Sequence, residues 1–171
     1  KLVMRPIGLT ARSLNRSFDY GQGPENQLRH WTSAGILTGA PGPDQAPRMA
    51  VWNNPATGTL DQRARAWLEM NCAHCHNPAG PARVSGLDLR AGQIDLSRAG
   101  VWKSPVAAGR GSGGRWYDII PNKPNDSIVP FRIASTEPGV MMPELGRRLV
   151  DEDGLALIRS WIAAMPDPRK Q

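Results

Sequence analysis

The chain has 171 residues, enough for one domain or one domain with a substantial extension. Its apolar fraction of 40% and charged fraction of 21% exclude a disordered or membrane-embedded composition. The net charge of +6 comes from scattered Arg and Lys with no basic run, so nothing in it marks a nucleic-acid surface.

Residues 1–58 read as an N-terminal extension, largely irregular and rich in Pro and Gly, wrapping the domain that follows. Turn signals are dense there, in "YGQGPEN", "GAPGPDQAP" and "NNPATG". One short helix is predicted over "NQLRHWTSAGI", Asn26 to Ile36, with Leu28, Trp31 and Gly35 or Ile36 on one side. No stretch approaches the length of about 18 apolar residues that a membrane span needs. The first residues, "KLVMRPIGLTARSLNR", lack the apolar core of a signal peptide, as expected of a cytoplasmic chain, a mature one or a fragment.

The pattern changes at Thr59. "TLDQ" fits a capping box, with Thr59 as N-cap and Gln62 three residues on. The apolar positions Leu60, Ala64, Trp67, Leu68, Cys72 and Cys75 predict one helix that runs through the cysteines and is stopped by Pro78 and Gly80. Short pieces and turns follow. "AAGRGSGGRW" is a flexible loop whose glycines do not match a nucleotide-binding spacing. Asn125 or Asp126 is expected to cap a short helix carrying Ile128, Val129 and Phe131. The last helix starts near Asp151 and buries Leu155, Ile158, Ile162 and Met165 with Trp161 beside them, until Pro166 and Pro168 stop it. The fold class read from these elements is all-α.

"CAHCH" holds both cysteines of the chain, Cys72 and Cys75, and two of its three histidines, His74 and His76. Positions i, i+3 and i+4 share a helix face, and Cys72, Cys75 and His76 occupy them. Such a face can bind a haem through two thioethers and offer His76 to the iron, which is the logic of C-x-x-C-H. Zinc would need a second ligand pair, and His30 is the one other histidine. Dithiol redox chemistry would call for a βαβ setting that the pattern lacks. The opposite iron ligand is expected among Met4, Met49, Met70, Met141, Met142 and Met165. Met70 lies on the wrong side and Met165 in the core stripe. The loop "GVMMPELG" is far enough downstream to cover the other haem face, and Met142, stiffened by Pro143, is preferred over Met141 as the thioether ligand.

Residues 59–171 form the domain, and 59–166 resemble a bacterial c-type cytochrome domain of the single-haem His/Met kind. The matching stretches stand in order: "LDQRARAWLEMNCAHCH", "GLDLR", "IIPNKPNDSIVPFRI", "MMPELG" and "SWIAAM". The resemblance implies a cytochrome c-like fold, one covalent haem c, a ligand from the methionine directly before the proline, and crossing first and last helices anchored by Trp67 and Trp161. "RPIGLTARSLNR", "ENQLRHW" and "GILTG" resemble the C-terminal half of a diheme c-type cytochrome family, which implies a possible second haem domain upstream, faced by His30 or Met49. A carbonyl at Pro78 or Pro81 is expected on the His76 Nδ1, and Arg83, Arg115 and Trp116 are expected at the propionates. The implied role is electron transfer between a redox-protein donor and acceptor in the periplasm, not enzymatic turnover. A peroxidase-like haem enzyme and a cytochrome domain of a larger dehydrogenase or diheme protein are the alternatives.

Overall fold

The computed structural model describes residues 9–170. The expectations for Met4 and the "RPIG" stretch fall outside them. Among the described residues, five α-helices and five short 3-10 helices are joined by long turns, with one two-stranded hairpin that the sequence reading did not anticipate. No described helix is long and apolar enough to cross a membrane.

The chain divides into two compact units, one ending at Ala50 and one beginning at Val51. The first is more ordered than a loose extension. Helix α1 (Ala11–Leu14) is closed by a Thr10/Ser13 capping box. Strands β1 (Ser17–Asp19) and β2 (Pro24–Asn26) pair antiparallel. Asp19 closes their turn by accepting the amides of Gly21 at 2.7 Å and Gly23 at 3.1 Å. Helix α2 (Gln27–Ser33) starts at Asn26, whose side chain accepts the Leu28 amide. It stops short of Ile36, because Gly35 turns to φ 71° and Ile36 is left exposed. The buried Asn15 amide donates to the carbonyls of Pro43 and Ala46, both at 2.9 Å, which ties down the irregular segment. Leu14, Leu28 and Ala46 form a small core with Trp31 and Leu37 against it.

The second unit begins before Thr59 because Val51–Gly58 are bound into it. Trp52 packs on the larger core, and its carbonyl accepts from Arg63 at 3.2 Å. Helix α3 (Leu60–Asn71) starts with the Thr59/Gln62 capping box read from the sequence. Helix α4 (Ile128–Ala134) follows Ser127 rather than Asn125 or Asp126, since Pro124–Asp126 wind separately as a 3-10 turn. Helix α5 (Glu152–Ala164) is capped by Asp151. Its stripe of Leu155, Ile158, Ile162 and Met165, with Trp161, is buried against Ala64, Trp67 and Leu68 of α3. Asn122, at φ 64°, caps the far end of α5 by donating to the carbonyls of Ala163 and Met165.

Candidate functional site

Helix α3 does not run through the cysteines as the periodicity predicts. It ends at Asn71, and Cys72 leaves helical geometry at φ −130°. The Ala73 amide reaches back five residues to the Leu68 carbonyl, 3.1 Å. The backbone then rewinds for one turn, in which the Cys72 carbonyl accepts from Cys75 at 3.1 Å and His76 at 2.9 Å. The i, i+3, i+4 relation of Cys72, Cys75 and His76 is therefore kept, on a separate turn.

That turn is held by bonds to its other carbonyls. Asn77 donates to the Ala73 carbonyl at 2.7 Å, Ala82 to Cys75 at 3.1 Å, and Leu89 to His76 at 3.0 Å. Gly80 is the tight point. A Cβ there would run into the Cys75 carbonyl and come within 2.8 Å of the Asn77 amide.

His76 Nδ1 lies 3.0 Å from the Ser85 hydroxyl. Ser85 gives its single proton to the Ala82 carbonyl at 2.7 Å, so toward His76 it can only accept. Nδ1 therefore carries the ring proton and Nε2 a lone pair. The expected carbonyl from Pro78 or Pro81 is replaced by this hydroxyl, and both prolines are exposed. Burial pushes the His76 imidazolium below its usual range, helped by Arg132, His74 and Lys103 and opposed by Glu144. A neutral ring is the form that binds a metal.

Arg132 and Glu144, which both act on His76, flank Met142. The Met142 amide donates to the Arg132 carbonyl at 3.0 Å, and Arg132 Nε donates to the Val140 carbonyl at 2.8 Å. Arg132 and Glu144 form a long ion pair of 3.8 Å. Arg147 donates to the carbonyls of Arg132 and Ser135, closing the C-terminal end of α4 and fixing the loop to it. Met141 and Met142 are both half-buried, while Val140 is buried.

Cys72 and Cys75 are free thiols. Burial, with Cys75 beside it, pushes the Cys72 thiol up to about 12, the reverse of the lowered value that a redox-active C-x-x-C needs. Among the described residues, no three of His, Cys, Asp and Glu gather as a metal cluster. A haem iron asks for two protein ligands only; the free Nε2 lone pair of His76 with the adjacent thiols fits one, and Met142 offers a thioether from a loop bonded to α4.

The remaining expected residues are spread out. Arg83 and Pro81 are exposed, and Trp116 is 80% exposed. Arg115 spends Nε on the Asn125 carbonyl and Nη1 on that of Gly113, with its guanidinium over Phe131. His30 is held in the first unit by Glu25 at 2.7 Å and stacks on Tyr20 at 3.7 Å. Sequence reasoning missed Ser85, Arg132 and Arg147. Each acts across a turn that carries no periodic signal, and a serine in "VSGLDLR" looks like any other. No family model, no curated protein and no solved structure matches the chain.

Proposed function

We propose that the second unit is a c-type cytochrome domain that carries one covalent haem and passes electrons between redox proteins. The reading rests on one observation above the others: Cys72, Cys75 and His76 share a turn in which Ser85 fixes the His76 proton on Nδ1 and leaves Nε2 for iron. Cys72 and Cys75 would take the two thioether bonds, and His76 and Met142 the two axial positions. Bound haem supplies a one-electron couple whose potential is set by those ligands, by burial and by hydrogen bonding.

The chain's own residues have three tasks in this reading. Ser85 orients the His76 ring. Arg132 and Arg147 hold the Met142 loop against α4. Arg132, beside the Met142 loop and only loosely paired with Glu144 at 3.8 Å, joins Arg115 as a propionate partner in this reading. If His76 and Met142 both held the iron, no position would be left there for a substrate, and the domain would serve electron transfer rather than peroxidase chemistry. Haem attached through cysteines points to a periplasmic setting, and a donor and an acceptor met by brief docking.

The test is the visible spectrum of the oxidised and reduced full chain, before and after acid-acetone extraction, for wild type and Met142→Ala. The expected result is haem that stays with the protein, a sharp low-spin reduced spectrum, and a weak far-red band of sulfur ligation lost in the variant. Extractable haem, or none, overturns the reading. Covalent haem that is high-spin in the wild type removes the Met142 assignment and favours a ligand-binding or peroxidase-like site.

A further inference from the structure

We propose that Ser85 is a positioning residue that sets the donor strength of His76 toward iron; this rests on the haem reading above. The Ser85 hydroxyl has one proton and two lone pairs, and all three are in use. It donates to the Ala82 carbonyl at 2.7 Å, accepts the Leu87 amide at 3.2 Å and accepts His76 Nδ1–H at 3.0 Å. Its position is fixed as well. Ser85 ends a 3-10 helix (Arg83–Ser85), and Gly86 follows at φ 70°, in the left-handed region that glycine enters without strain.

The bonds close a loop. Ala82, which receives the Ser85 proton, donates its own amide to the Cys75 carbonyl at 3.1 Å. Cys75 and His76 are thus tied to one two-point clamp, Ala82 and Ser85. An acceptor on Nδ1–H raises electron density at Nε2, which favours the oxidised metal and lowers the reduction potential. A backbone carbonyl in this place would be fixed by the fold. A hydroxyl can be removed or restored by substitution, and its pull on the ring proton depends on the proton it gives to Ala82.

The experiment uses the haem-loaded full chain as wild type, Ser85→Ala and Ser85→Thr. Potentiometric titration gives the midpoint, and NMR of the reduced protein gives the exchange rate of the His76 ring N–H. Ser85→Ala is expected to raise the potential and speed the exchange, and Ser85→Thr to return both toward wild type. A Ser85→Ala protein that loses thermal stability while keeping wild-type potential and exchange shows that Ser85 only caps its turn, and overturns the proposal. Should Ser85→Ala fail to load haem, the wild type decides alone: a ring proton on Nδ1 protected from exchange supports the bond, and a rapidly exchanging one overturns it. A wild type without thioether-bound haem overturns the underlying haem reading, whereas covalent low-spin haem with an unresponsive Ser85→Ala overturns this inference alone.

Discussion

At Gly80 the limit is space rather than backbone conformation. The Cys75 carbonyl and the Asn77 side chain occupy the volume a Cβ would take. Both are already committed, one to the Ala82 amide and the other to the Ala73 carbonyl, so neither can yield without loosening the turn that presents Cys75 and His76. Gly80→Ala is therefore expected to destabilise the protein by on the order of 2 kcal/mol and to lower the haem-to-protein ratio. Gly92 is the control. It has open space around it, and Gly92→Ala should stay within about 0.5 kcal/mol of wild type. Thermal melts and a haemochrome assay on the two variants check this; equal behaviour would mean that the Cys75 carbonyl is not confined. The sequence offered Gly80 only as a helix stop. Its packing role depends on the folded-back path of residues 77–82, which no local pattern records.

Helices α3 and α5 are joined by a reciprocal pair of bonds. Trp67 of α3 donates to Asp151, the N-cap of α5, at 2.9 Å, and Trp161 of α5 donates to Asp61, in the first turn of α3, at 2.8 Å. Each tryptophan places its ring in the core and its N–H on the carboxylate that also serves the partner helix's N-terminal end. Arg65 adds to one side, bonding Asp61 at 3.0 Å with its guanidinium 5.9 Å from the Trp161 ring. Trp161→Phe keeps most of the apolar surface and removes the donor, so it should cost about 1 kcal/mol. A double-mutant cycle with Asp61→Ala in chemical denaturation is expected to show coupling of the same order, and additive losses would show that the bond contributes nothing. The helices and their apolar faces were legible because the α5 stripe and the Thr59 box are local, periodic signals, while the anchoring role of the two tryptophans was implied only by the resemblance. Their aspartate partners lie 84 and 100 residues away in sequence, and the break of α3 at Cys72 was hidden because neither Gly nor Pro marks it.

At the scale of the whole chain, the sequence placed the start of the second unit at Thr59, where composition changes, while the structure places it at Val51. Turn-rich composition describes how a segment bends and says little about what it packs on; Trp52 packs on the larger core and residues 55–57 lie against α3. The same limit applies to the first unit, whose Asn15-centred bonds give order to a stretch that composition marks as irregular. Acid stability tests how such buried polar centres hold the second unit together. Asp88 is 2% exposed, receives Arg90 at 2.6 Å and Gln93 at 2.8 Å, and gives its amide to the Arg98 carbonyl. The bond from Arg90 holds its carboxyl below the usual carboxylate range. A carboxyl depressed in the folded state binds protons more tightly when unfolded, so its contribution is present above an unfolded value of about 3.9 and fades as pH falls through the depressed folded value. Arg90 is half exposed, so solvent screening keeps the ion pair's share within about 1 kcal/mol. Asp118 works in the other direction: burial raises its carboxyl despite Lys103, so stability from this group grows as pH falls. Both wild type and Asp88→Asn retain Asp118, and its effect cancels in their difference. Denaturation at steps from pH 7 to pH 3 should show a constant gap between the two proteins above about pH 5 that narrows below it. A gap that stays constant to pH 3 would mean that the charge of Asp88 plays no part and that the difference comes from the shape and donors of asparagine, and no gap at all would mean that asparagine makes the same bonds.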